Sequence, residues 1–209
     1  MKKILITTFF FSSLLLLTGC LTTIHPIFTV NDLVADGRLA GSWKKATDGS
    51  VTTYRKVTKS EMKQFSETLQ QNADKVYLVN EKNTTGNPEF VYYAFLVKLG
   101  KYYYFDYYPA DTKERETSDT FFKAHYIPMH GIYRIDFRTD GTFELRQLDG
   151  GYLEKLIRDK QIRIKHETMN DGDFIITAST EELQQYLIKY SDIPEAYDNN
   201  NASLYTKIN

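Results

Sequence analysis

From Leu39 onward the chain is dominated by short runs rich in Val, Ile, Tyr, Phe and Thr, separated by turn dipeptides. Runs of this kind predict a meandering antiparallel sheet. Asp48-Gly49 separates runs at 42–45 and 51–57, and Asp140-Gly141 separates runs at 132–137 and 143–148. Asp-Gly favours a tight type I′ turn, in which both central residues need positive φ. Gly100-Lys101 joins 91–99 to 102–108, and glycine in first place favours the II′ geometry. In 91–99 one face carries Val91, Tyr93, Phe95, Val97 and Leu99, while the other carries Tyr92, Ala94, Leu96 and Lys98. Both faces are largely apolar, so this strand is expected to be covered on two sides. Further strands are expected near 75–81, 124–136, 162–167, 173–178 and 203–208, nine or ten in all.

Three stretches change period from two to 3.6. Ser179 with Glu182 forms a capping box ahead of Leu183, Tyr186, Leu187 and Tyr190, which fall on one helical stripe. Residues 152–160 bring Leu153, Leu156 and Ile157 together, and Thr58 with Glu61 precedes Met62, Phe65 and Leu69. The polar segment 111–119 reads as a loop. The fold class expected is therefore mainly β: an antiparallel meander forming a barrel or strongly curved sheet, with two or three short amphipathic helices.

The first twenty residues follow another logic. Met1-Lys2-Lys3 is a positive start, and 4–17 holds ten apolar residues in fourteen without a charge. That is the layout of a secretory signal, and it falls short of the roughly 20 apolar residues of a spanning helix. The chain's single cysteine, Cys20, follows directly after Thr18-Gly19. Leu17-Thr18-Gly19-Cys20 resembles a bacterial lipobox, which implies cleavage of 1–19 and acylation of Cys20 by diacylglycerol and palmitate-class chains. Residues 20–38 lack a clear period and read as the lipidated cysteine and its tether, with one β-rich domain over 39–209. By analogy with lipoprotein sorting, the absence of Asp at Leu21 implies an outer-membrane address facing the periplasm.

Composition narrows the chemistry. Of 209 residues, 42% are hydrophobic and 25% charged, in the ordinary globular range, with a net charge of -1. No basic field for nucleic acid is present. One cysteine removes intrachain disulfides and multi-thiolate zinc sites. Nucleophile elbows, phosphate loops and zinc-protease motifs are absent from the sequence, so no catalytic residue, metal ligand or cofactor is nominated. Tyrosine is the outlier: seven of sixteen lie between Tyr92 and Tyr108. They can line a pocket for an amphipathic ligand or form an aromatic core with hydroxyls at its rim.

Gly41-Ser42-Trp43 opens the first run with the chain's single tryptophan. It resembles the Gly-x-Trp start of lipocalins and the wider calycin group, in which the indole plugs one barrel end. Two departures stand out: 203–208 has no arginine to stack on the indole, and helices interrupt the later strands. A broader series resembles a group of lipid-anchored bacterial proteins of uncharacterised function. It comprises Leu39-Ala40-Gly41-Ser42-Trp43, Phe95-Leu96-Val97-Lys98-Leu99-Gly100-Lys101-Tyr102, Asp106 with Tyr108-Pro109, His125-Tyr126-Ile127-Pro128-Met129-His130 and Thr177-Ala178-Ser179-Thr180-Glu181-Glu182-Leu183-Gln184. The resemblance implies a shared fold and anchoring and transfers no activity.

Trp43, Tyr93, Tyr102, Tyr104, Asp106, Tyr108, His125 and His130 are the candidate ligand-binding residues. Asp106 shares a face with Tyr102, Tyr104 and Tyr108, and its carboxylate has to be paired, bonded or solvated. The leading expectation is an apolar or amphipathic ligand held in a calycin-like barrel on a membrane. Its rival is an envelope protein with a filled barrel and a protein partner. A hydrolase using Asp106 with His125 or His130 would require the carboxylate and an imidazole to meet at one cleft.

Overall fold

The computed structural model describes residues 21–85, 88–110, 126–169, 174–200 and 202–208. Eleven strands occur among them: β1 (Thr22–Thr23), β2 (Gly41–Lys45), β3 (Val51–Lys56), β4 (Val76–Lys82), β5 (Pro88–Leu99) and β6 (Tyr102–Pro109), then β7 (His130–Phe137), β8 (Phe143–Gln147), β9 (His166–Thr168), β10 (Phe174–Ile176) and β11 (Ser203–Ile208). Strands β2 to β8 follow one another around a ring, β11 lies between β8 and β2, and β6 pairs with β7 to close it. All eight pairings are antiparallel. The protein is thus built on a closed, calycin-like, eight-stranded barrel. Strands β1, β10 and β9 extend outward from β7.

Turn chemistry sets the register, with one correction. At Asp48-Gly49 and Asp140-Gly141 only the glycine takes positive φ, 75° and 84°. Neither turn is type I′. The second is a three-residue connection in which Gly141 N–H donates to Arg138 O and Arg138 N–H to Thr142 O. A type I turn ending in a left-handed glycine has this pattern. Gly100 alone is positive (58°) in its connection, as II′ requires.

Three helices pack outside the barrel: α1 (Glu67–Gln70), α2 (Gly150–Arg158) and α3 (Thr180–Tyr190). In α3, Glu182 N–H donates to Ser179 Oγ while Ser179 N–H donates to the Glu182 carboxylate, so the capping box is formed. The Thr58 box caps a short 3-10 turn, Lys59–Met62, ahead of α1 rather than a continuous helix. The run expected at 124–136 becomes strand at His130 among the described residues; 126–129 belong to no strand, and Pro128, which lacks an N–H, cannot continue a ladder. Likewise 162–165 stays irregular: in the β9–β10 register its partners would be 177–180, which already lead into the cap, Ser179, and the first residue, Thr180, of α3. The expected loop 111–119 lies outside the described residues.

The wall formed by β5 and β6 is covered on both sides. Inside lie Trp43, Tyr54, Phe105, Ile135 and Phe143; outside, Ile27, Phe95, Ile132, Leu153 and Leu183 form a second core. Each such side chain contributes about 1.5–3 kcal/mol on burial. The outer core explains a correction at the N-terminus. Residues 21–38 are not a tether: Leu21, Ile27, Phe28 and Leu33 are buried against the wall. Thr180 Oγ1 on α3 donates to Pro26 O, and Gln184 Nε2 donates to Ile27 O. The segment runs down the outside and reaches the opposite barrel end, where Val34 N–H donates to Leu96 O.

That end is plugged. Trp43 Nε1–H donates to Leu39 O at 2.8 Å, and its ring meets the Phe143 ring at 4.6 Å. The cation above the indole is Lys207 of the last strand, 5.3 Å from the ring centre. Gly41 has φ 128°, and a Cβ there would sit 3.0 Å from Lys207 Cε. The Gly-x-Trp start therefore has a local cause: a side chain at Gly41 would strain the backbone and displace the lysine. Gly41→Ala is expected to lower stability by about 1–3 kcal/mol, read as the urea midpoint; an unchanged midpoint would remove this account.

Candidate ligand-binding site

At the end of the barrel opposite Trp43 the interior is open. The cavity measures about 710 Å³, within the range of small-molecule sites. Its wall follows from the period-two rule applied around the ring. Val79 pairs with Tyr92 and Ala94 with Tyr107, and Tyr54 and Tyr133 belong to the same inward rows. Tyr54, Tyr92, Tyr107, Tyr133 and Tyr205 give the cavity an aromatic belt, with Val79, Leu145 and Met129 as its aliphatic members.

The belt is packed as a unit. Tyr54 and Tyr107 hydroxyls lie 2.8 Å apart, and the Tyr107 ring contacts Tyr133 at 5.2 Å and Tyr92 at 5.9 Å. Phe105 stacks on Tyr54 at 5.6 Å beneath them. Near the mouth, Lys45 Nζ and Asp48 pair at 3.1 Å, with Glu81 and Gln147 also on the wall. The Thr52 hydroxyl on the same wall is buried without a partner among the described residues. An apolar body ringed by phenols, with polar groups towards one end, suits a molecule that is itself amphipathic.

Burial pushes the hydroxyls of Tyr54, Tyr107 and Tyr205 well above the ordinary phenol value, because a phenolate there would lose its water. The folded state then holds protons that the unfolded chain releases near pH 10. Stability is expected to be unaffected by these groups below pH ~10 and to fall as pH rises past it. In an absorbance titration, part of the phenolate signal should appear together with loss of the folded circular dichroism. Full ionisation of every tyrosine before unfolding would contradict this.

The residues nominated from sequence fall mostly on the other side of the wall. Trp43 is inside, but at the plugged end. Tyr93, Tyr102, Tyr104, Asp106, Tyr108 and His130 project outward beneath the N-terminal segment and the helices. The Tyr93 hydroxyl donates to Glu61 O, that of Tyr102 to Asp192, and that of Tyr104 lies 3.4 Å from Tyr197 Oη. His125 lies outside the described residues, as does Cys20.

Asp106 and His130 do meet. His130 Nδ1 is 2.5 Å from Asp106 Oδ1, and Ile27 N–H donates to Oδ2 at 2.9 Å. The Tyr108 ring covers the imidazole at 4.9 Å. With Asp106 fully buried and His130 only 7% exposed, this is a polar latch between the N-terminal segment and the wall, away from the cavity lining. Among the described residues no three His, Cys, Asp or Glu gather as a metal site.

No family model matches the chain, and neither the curated proteins nor the solved structures supply a match. The site's chemistry therefore rests on its own geometry. Sequence reasoning missed the inward tyrosines Tyr54, Tyr92, Tyr107, Tyr133 and Tyr205, whose side of the wall is set by strand pairing around the ring rather than by their own spacing.

Proposed function

We propose that this chain is a lipid-anchored cell-envelope protein that holds a small apolar or amphipathic molecule in its barrel. The tyrosine-belted cavity of about 710 Å³ carries the reading. A filled barrel serving only as an envelope interaction module would have no use for such a space, so the cavity favours a carrier over that alternative. Anchoring is supported by the charged start, the apolar run and Cys20 at the end of the lipobox-like Leu17-Thr18-Gly19-Cys20. Kinship with uncharacterised bacterial lipoproteins is supported by the ordered series from Leu39-Ala40-Gly41-Ser42-Trp43 to Thr177–Gln184, and an outer-membrane address facing the periplasm by Leu21, where Asp is absent. Among the described residues no helix is long and apolar enough to cross a membrane. Acyl chains at about 0.8 kcal/mol per buried CH₂ would supply the hold.

Two measurements test this reading. Cys20→Ala should move the protein from the membrane fraction to the soluble fraction of the cell, and continued membrane attachment would contradict acylation. Native mass spectrometry of protein released in mild detergent should show a retained small molecule. Thermal shift should rank a fatty acid, a lysophospholipid and a long-chain amine. If no molecule is retained and none of the three amphiphiles shifts the midpoint, the carrier reading falls.

A further inference from the structure

We infer that the open rim of the barrel lies against the bilayer surface, so that the cavity exchanges its contents with membrane lipid. This deepens the carrier reading and rests on acylation of Cys20. The first observation is the absence of slack. Leu21 is 4% exposed, Thr22 and Thr23 pair with Gly131 and His130, and Ile24 N–H donates to Ile176 O. The chain is therefore held in the fold from its first described residue.

Thr22 is itself part of the cavity wall, beside Gly131 and Met129. Two residues of fully extended chain reach at most ~7 Å. That is about the depth of one headgroup layer, roughly 5–8 Å. A lipid on Cys20 thus enters the membrane within about a headgroup's depth of the cavity mouth, whereas a true tether would let the barrel tumble freely.

The second observation is independent of the anchor. Two of the large apolar side chains left in solvent sit at this same end: Phe90 is 52% exposed and Ile127 is 64% exposed. Phe90 stands one inward step above Tyr92 on β5, with ring centres 5.8 Å apart. Ile127 precedes Met129 of the wall by two residues. Two exposed apolar side chains beside the polar groups of the mouth, Lys45 and Asp48 among them, give this end the mixed character that suits the interface of a lipid bilayer, where apolar side chains are buried and charges meet headgroups.

The experiment uses the full, acylated protein in phosphatidylethanolamine–phosphatidylglycerol vesicles. Acylation occupies Cys20, so Phe90→Cys, Ile127→Cys and Thr139→Cys each offer one thiol for an environment-sensitive fluorophore. Thr139 is exposed in the β7–β8 turn at the plugged end. The labels at 90 and 127 should shift to the blue and lose emission to brominated lipids, while the label at 139 keeps its aqueous spectrum. Hydrogen exchange of the unsubstituted protein on the same vesicles, slowed at 90–92 and 126–129, gives a readout free of substitution. If Cys20 carries lipid but these sites stay aqueous, or only position 139 is quenched, the rim orientation is overturned and the carrier reading stands. A mass spectrum showing unmodified Cys20 would overturn the anchor and this inference together.

Discussion

Asp106→Ala is expected to lower the stability of the protein by about 3–5 kcal/mol, a large share of the 5–15 kcal/mol that a domain commonly has. The carboxylate is fully buried and serves two donors, Ile27 N–H and the His130 imidazole. Removing it leaves both in a site closed to water, and each unsatisfied group costs about 1–3 kcal/mol. Asp106→Asn, which keeps one acceptor oxygen, should lose less. Urea unfolding followed by Trp43 fluorescence and by far-UV circular dichroism would measure both. Because the latch joins the N-terminal segment to the barrel wall, exchange of the Ile27 and Leu33 amides should also accelerate in Asp106→Ala. A loss below about 1 kcal/mol would show that the latch contributes no more than an ordinary surface hydrogen bond.

Gly131→Phe is expected to weaken ligand binding at least about tenfold while sparing the fold. Gly131 lies in the cavity wall at the start of β7, and its φ is not among the positive values that favour glycine. A Cβ placed there meets only the Tyr133 ring, at an ordinary contact distance of 3.7 Å. A phenyl group therefore grows into the entrance rather than into packed protein, and a strand position accepts an aromatic residue well. Affinity for an amphiphile that binds the unsubstituted protein should weaken by at least about tenfold, ~1.4 kcal/mol, with the ligand-free thermal midpoint little changed. Unaltered binding by a folded variant would place the ligand elsewhere than this cavity.

Much of the barrel was legible because its signals are local. Alternation in 91–99 and the Gly100-Lys101 turn define the central hairpin, and Ser179 with Glu182 defines α3. The side of the wall on which a residue lies was not legible. Both faces of β5 are apolar, and the side facing the cavity is decided by following pairs from Trp43 to Thr52, Tyr54 to Val79, Val79 to Tyr92 and Ala94 to Tyr107. That ladder has no tight turn between 57 and 76, so nothing in the sequence ties its two halves together. The placement of 21–38 failed for a different reason. Its apolar residues Leu21, Ile27, Phe28 and Leu33 answer to no period of their own, being spaced to fit the outer face of a wall formed much later in the chain.

The β6–β7 pairing that completes the ring also bears on how the protein behaves when copies are crowded together. An open sheet leaves a strand margin on which a neighbouring copy can add its own strand, the common first step of aggregation. Here the eight ring strands each have partners on both sides, and the outermost strand of the extension is β9, three residues long with Glu167 exposed at its centre. A short, charged margin is a poor template, so crowding of copies carries little hazard of strand exchange between them.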